Sequence, residues 1–459
     1  MRTCVAILAA TLAACMAPAA TNTPAARLEA QIPQAVQADN AAGARGLCAI
    51  LWQALQKAES EKKNINARRE WEDVVIECQD GVGGFKTPEA QKVFLGFLDK
   101  MLPAAQTVLL LGFRDWAPAP ETGAACLKLL TETRDFQVKI ACLALLRAHP
   151  FAQGLDAVAG CLRQGEPLGL QIAACRTLAF SQDKAAIALL ISFLRLQKSG
   201  RLRHEATAAL RLLTGKPFIA DAGVWDNWWS QHSAGFVAPP PVLTEFNYEL
   251  QADPKQDLSY YEIPIVEERI IFIIDTSGSM QYGGKPCRLD KARDELKTLI
   301  GRLNDRIFFN IILYSGNVRR WQKLPLVQAT LENRKAAQQF LDAARPGGST
   351  MTMAALEEAL WEIAVQQSVE TIFLLTDGAP TPMYHSGITK DEQLPDGMEA
   401  IRRRIRFINQ TLNVRINTIG VYTRDKIKDP DEKEIVRKAM KDFLENVAAD
   451  NDGVYREVK

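Results

Sequence analysis

Ile270-Ile-Phe-Ile-Ile-Asp275-Thr-Ser277-Gly-Ser279-Met280 sets five consecutive apolar residues, four of them isoleucine, directly before a carboxylate and two hydroxyls spaced around a glycine. A short unbroken apolar run of this kind reads as a strand buried on both faces of a sheet. The acid and the two neutral oxygen donors then fall on the loop at the strand's carboxyl end. In an open α/β sheet that edge is where ligands bind.

Two later stretches extend the set. Gly347-Gly-Ser-Thr350 is a glycine turn ahead of the helical pattern Met353-Ala-Ala-Leu356-Glu-Glu-Ala-Leu360, and Thr371-Ile-Phe-Leu-Leu-Thr-Asp377-Gly378 is a second buried strand ending in an acid. If the two strands are parallel neighbours, Asp275 and Asp377 emerge side by side. Two carboxylates with three hydroxyls suit a hard cation: magnesium takes about six oxygens, uses one or two carboxylates and keeps waters. None of the three loops holds a histidine or cysteine, which argues against zinc.

The pattern resembles the von Willebrand factor type A family and its metal-ion-dependent adhesion site. That family's signature is Asp-x-Ser-x-Ser, a threonine from a second loop and an aspartate from a third. Matched residue by residue, these fall on Asp275, Ser277, Ser279, Thr350 and Asp377, with the resemblance running from about Glu267 to Lys459. It implies a bound divalent ion, Mg²⁺ or else Mn²⁺ or Ca²⁺. It also implies that the serines and threonine touch the metal while the aspartates often act through water. A lone Asp-x-Ser-x-Ser can be no more than a hydroxyl-capped turn; three loops in the right order carry the resemblance.

A chain of 459 residues predicts two or three domains. Lys plus Arg (55) nearly balances Asp plus Glu (54), which removes any global argument for nucleic acid or an anionic membrane. The first 14 residues carry Arg2 and an apolar stretch too short to span a bilayer, as an export signal does. Leu12-Ala-Ala-Cys15 resembles a bacterial lipobox, with Cys15 as the lipidated residue and the cell envelope as destination. Cleavage after Ala19, giving a secreted protein, is the competing reading. Residues 15–41, rich in Ala, Pro, Gln and Thr, read as a flexible linker.

From 42 to 232 the pattern is helical and repeats. Leu98, Leu130, Leu162 and Leu194 stand 32 residues apart; Leu109, Ala141 and Ala173 share the period, and Ala206 follows after one insertion. Such a period implies paired helices stacked as a solenoid, similar to the HEAT and armadillo class. Trp225, Trp228 and Trp229 share one helical face and read as its closing cap. Cysteines 126, 142, 161 and 175 read as small core residues, whereas Cys48 and Cys78 are placed to bridge the first two helices in an oxidising compartment.

A Pro-rich linker, 233–266, precedes the α/β domain, 267–459, whose alternating strands and helices predict a largely parallel, doubly wound, Rossmann-like sheet. Residues 381–397 form a polar insertion directly after Asp377 and hold His385. Arg402, Arg403, Arg404 and Arg406 cluster on a helix, either as a solvated face or for an acidic partner.

The functional expectation is a non-catalytic, metal-dependent binding or adhesion protein whose ion takes an acidic residue of a partner protein. Two other classes compete. A scaffold would bind through the helical repeats, with a structural metal. A metal-dependent hydrolase is disfavoured because Ser277 stands where a haloacid-dehalogenase-type phosphatase needs a second aspartate, and Gly283-Gly-Lys285 lacks the earlier glycine of a nucleotide-binding loop.

Overall fold

The computed structural model describes residues 23–117, 120–148, 154–181, 183–197, 200–237, 258–323, 325–365, 368–378, 380, 390–421 and 430–458. The expected export signal, Cys15 and His385 lie outside them. The chain divides into two compact units, Met1–His149 and Pro150–Lys459.

The first unit is helical: α1 (Pro24–Glu29), α2 (Ile32–Ala38), α3 (Ala41–Ser60), α4 (Ile65–Gly84), α5 (Pro88–Leu98), α6 (Pro103–Gly112), α7 (Pro120–Glu132) and α8 (Phe136–Ala148). The described part of the expected 15–41 linker is therefore folded. Thr23 accepts a hydrogen bond from the Ala26 amide with Pro24 opening α1, and Asn40 caps α3. Ala25 and Ile32 are buried. The Asp39 carboxylate accepts from the Lys86 and Thr87 amides at 2.9 and 3.1 Å, tying α2 to the start of α5. Composition suggested a tether, but a few buried contacts and these caps suffice to order it.

In the second unit come α9 (Leu155–Gly160), α10 (Leu168–Leu178), α11 (Lys184–Leu196), α12 (Arg201–Thr214) and α13 (Ala222–His232). The 32-residue period falls on helix pairs. Leu98, Leu130 and Leu194 lie in α5, α7 and α11 with Leu162 just after α9, and Leu109, Ala141, Ala173 and Ala206 lie in α6, α8, α10 and α12. All eight side chains are buried. Trp225 is fully buried on α13, its indole N–H donating to the Ile219 carbonyl at 3.0 Å and its ring edge-on to Phe218. Cys48 and Cys78 are buried and unbridged.

The α/β part carries β1 (Ser259–Tyr260), β2 (Ile263–Pro264), β3 (Arg269–Asp275), α14 (Arg288–Arg302), β4 (Phe308–Tyr314), β5 (Val318–Arg320), β6 (Val327–Gln328) and α15 (Leu331–Asp342). It continues with α16 (Thr352–Glu357, prolonged by a wider turn over Glu358–Ala364), β7 (Thr371–Thr376), α17 (Lys390–Asn409), β8 (Arg415–Val421), α18 (Pro430–Ala449) and β9 (Tyr455–Val458). The sheet order is β5-β4-β3-β7-β8-β9. Strands β4, β3, β7, β8 and β9 are parallel, while β5 and β6 add antiparallel to β4. This is the expected α/β architecture. Side chains of β3 alternate between two cores: Ile271 and Ile273 face one, Ile270, Phe272 and Ile274 the other. Residues 258–266, expected as linker, belong to that second core, since Tyr260, Ile263 and Ile265 are buried in it.

At the amino-terminal ends of the strands, helix α12 meets the sheet through buried charges. Arg201, 0% exposed, donates to the carbonyl oxygens of Glu370 (2.9 Å) and Asn413 and to the Glu205 carboxylate. Arg176 of α10 pairs with Glu205 and with Asp452 at 2.9 and 2.8 Å, and Arg415 pairs with Glu267. The Glu370 carboxylate accepts from the Glu268 and Arg269 amides. Of the arginine cluster, Arg404 is buried on Glu357 and Arg402 pairs with Asp450, so these two charges are spent within the fold.

Burial pushes the Glu370 carboxyl up to about 7 from an ordinary 4.5, with Glu267 and Glu268 adding to the rise and the Glu268 amide opposing it. A folded value above the unfolded one contributes stability that is complete below 4.5 and is lost as pH rises through about 7. Glu370→Gln keeps an amide oxygen for the two N–H donors and carries no charge. Its stability relative to the natural chain should therefore increase steadily across that interval. Denaturant midpoints of both proteins, measured through this pH range, check it; parallel curves would refute it.

Candidate metal centre

Strand β3 is where the order of the sheet reverses: the chain next lays β4 on one side of it and later β7 on the other. Ligand crevices in open α/β sheets form at such a point, beyond the carboxyl ends of the strands. Asp275 is the last residue of β3, and Asp377 directly follows β7, whose register pairs Ile274 with Leu375. The two acids are thus brought together by strand pairing alone.

Asp275 is 0% exposed. Its Oδ1 accepts from the Ser277 amide and its Oδ2 from the Thr376 hydroxyl, both at 2.7 Å. Beyond it the hydroxyls form a chain. Ser277 Oγ lies 3.0 Å from Ser279 Oγ, and Ser279 Oγ donates to Asp377 Oδ1 at 2.7 Å. The other oxygen of Asp377, Oδ2, accepts from Arg288 Nη1 at 2.5 Å.

The third loop docks through its backbone. The Gly278 amide donates to the Gly348 carbonyl at 3.0 Å, and the Gly347 amide to the Thr276 carbonyl at 2.8 Å. Gly348 has φ +82°, the left-handed region, and a β-carbon there would sit 3.0 Å from the Gly316 amide nitrogen. Gly378 opens the space between loops: a β-carbon on it would stand 3.3 Å from Ser279 Oγ and 3.7 Å from Thr350 Oγ1. All five sequence-chosen residues therefore converge around one spot. Asp275, Ser277, Thr350 and Asp377 are buried, while Ser279 is half-buried.

Two partners were missed at the sequence level. Thr376 looks like the final residue of a strand, yet its hydroxyl clamps Asp275. Arg288 looks like one cation among many on a charged amphipathic helix, yet it is buried and paired with Asp377. A basic residue at a helix's first position, where the dipole disfavours it, is the sequence signal that it is held by an acid.

Burial, and next the charge of Asp377, push Asp275 up to about 7, against the hydrogen bonds from Thr376 and Ser277. Two buried carboxylates side by side, with three hydroxyl oxygens alongside, are a donor set that fits a hard divalent cation. No cluster of three or more His, Cys, Asp or Glu side chains suited to a metal occurs among the described residues.

Residues 270–455 match the family model of the von Willebrand factor type A domain. This region is a type A domain. The chain is also similar to inter-alpha-trypsin inhibitor heavy chain 4 of Mus musculus, 35% identical over 127 residues, covering 26% of this chain and 13% of that protein. Heavy chain H3 of Bos taurus is 27% identical over 205 residues, covering 43% and 19%. The chain thus spans less than a fifth of the length of these curated relatives. Among solved structures, a von Willebrand factor type A protein from Catenulispora acidiphila is 19% identical with a TM-score of 0.32, covering 43% of this chain and 40% of that one.

Within the type A domain, Thr376→Val keeps the shape of the side chain and removes the hydroxyl that Asp275 depends on. Losing a buried hydrogen bond to a charged group costs about 1–3 kcal/mol. The variant should unfold at correspondingly lower denaturant, as followed by circular dichroism; a change below about 0.5 kcal/mol would show that the bond is not needed.

Proposed function

We propose that the type A domain is a divalent-metal-dependent protein-binding module, serving adhesion or scaffolding rather than catalysis. Asp275, Ser277, Ser279, Thr350 and Asp377 hold Mg²⁺, or Mn²⁺ or Ca²⁺ in its place, and the ion takes a carboxylate of an acidic residue on a partner protein. The observation that carries the reading is the continuous oxygen cluster from Asp275 through Ser277 and Ser279 to Asp377. It lies at the sheet's reversal point, with Thr350 brought in by the Gly347–Gly348 backbone.

Hydroxyl-rich coordination leaves the ion's charge poorly compensated, so an incoming anion gains more than it would at an all-carboxylate site. Catalysis would need a base that substrate can reach. Asp275 has a suitably raised carboxyl but is wholly enclosed, with both oxygens already accepting hydrogen bonds.

Metal binding is tested first on the full chain. A ligand at 100 times its dissociation constant stabilises a fold by about 2.7 kcal/mol, so melting temperature should rise with Mg²⁺ or Mn²⁺ over chelator. The rise should vanish in Asp275→Ala and shrink in Thr350→Ala. Equal melting temperatures at saturating metal would overturn the proposal. For a captured protein partner, binding should be lost both in chelator and in Thr350→Ala. Binding that persists in both and needs only residues 42–232 would instead favour a scaffold acting through its helices.

A further inference from the structure

Arg288 is the charge that the five-residue metal set does not include. It is the first residue of α14, with Cys287 as N-cap and its own amide donating to the Tyr282 carbonyl at 2.9 Å. The side chain is 1% exposed and its ion pair with Asp377 is enclosed on both sides. A guanidinium stays protonated at any pH the protein meets. Both burial and the positive end of the helix disfavour it there. It is kept by Asp377, whose two oxygens are divided: Oδ1 faces the Ser279 hydroxyl within the cluster, while Oδ2 faces the guanidinium.

We propose that Arg288 is a charge-setting residue of the metal centre, which lowers the affinity of the site for the cation and makes the loaded site select an anionic ligand. This rests on the metal-binding reading above and deepens it. Asp275 and Asp377 with Arg288 amount to a single net negative charge. A divalent ion then leaves the centre net positive by one, and a partner carboxylate restores neutrality. Without the arginine, the two aspartates would offset more of the ion's charge, and a third carboxylate would gain less on entering a buried site. The arginine thereby transfers binding free energy from the metal to the partner.

This differs in sign from a purely structural role. If Arg288 only propped Asp377 in place, removing it would loosen the carboxylate and weaken metal binding. If it sets charge, removing it strengthens metal binding and weakens anion binding. Arg288→Lys separates the two, because it keeps the charge and loses the planar two-pronged geometry.

The test titrates Mn²⁺ into the full chain by calorimetry for the natural protein, Arg288→Gln and Arg288→Lys. Acetate, as a minimal carboxylate, is then titrated into each Mn²⁺-loaded protein, with binding read from water-proton relaxation. Arg288→Gln should bind Mn²⁺ at least about tenfold more tightly and acetate at least about tenfold more weakly. Arg288→Lys should stay within about threefold of the natural protein in both. Mn²⁺ affinity unchanged or weakened in Arg288→Gln, or acetate affinity unchanged, would overturn the inference. Should circular dichroism show Arg288→Gln unfolded, Arg288→Lys decides: natural affinities support the charge role, and weakened Mn²⁺ binding overturns it. Failure of the natural protein to bind Mn²⁺ would instead remove the metal-centre reading itself.

Discussion

Two carboxylates are forced into one buried place because two parallel strands end side by side. Strands β3 and β7 are buried on both faces, so their register is fixed by hydrophobic side chains that have nowhere else to go. Sliding either strand by one residue would exchange its two core faces. The separation of Asp275 and Asp377 is therefore imposed by the core, and local electrostatics has to accept it. Everything around the acids answers that constraint. Thr376 and the Ser277 amide satisfy one, and Ser279 and Arg288 satisfy the other.

The same strands begin at a second layer of buried charge. Glu267 and Arg269 flank the start of β3, Glu370 precedes β7, and Arg415 opens β8. Arg201 reaches into this layer from α12 and donates to the backbone carbonyls of Glu370 and Asn413, the first of which also accepts from the Arg415 amide. Buried ion pairs are weak evidence of net stability, because desolvation offsets much of the Coulomb gain. What they supply here is geometry: a guanidinium with so many bound partners has one acceptable position. These contacts tie helices after Leu155 to the sheet within the second compact unit.

The legible part of the molecule was the part written in short range. Five apolar residues before Asp275, six residues of β7 before Asp377 and a double glycine before Thr350 each announce an element and its end, and the five site residues follow. The 32-residue spacing of leucines was legible for the same reason, since each copy reports its own helix. What sequence concealed was long-range pairing. Arg201 contacts residues 169 and 212 positions away, and Arg288 contacts one 89 positions away; a cation carries no local mark of which acid it will meet. Weak burial was concealed too. Tyr260 with Ile263 and Ile265, and Ala25 with Ile32, lie in short segments beside Pro-rich and polar stretches, and composition averages them away.

The two charged layers bear on why the proposed metal centre would sit on hydroxyls. The lower layer is closed: its acids meet arginines and backbone amides of the same chain, and burial raises the Glu370 carboxyl to about 7. In the upper layer Arg288 pairs with the Asp377 oxygen that does not accept from Ser279. Neutral oxygens there line the remaining space without adding repulsion to two acids already too close. An edge built from more carboxylates would hold a cation more tightly and neutralise it. An edge built from more arginines would need no cation at all. Two acids, three hydroxyls and one buried guanidinium lie between those limits, as the proposed binding of an ion that still attracts an anion requires.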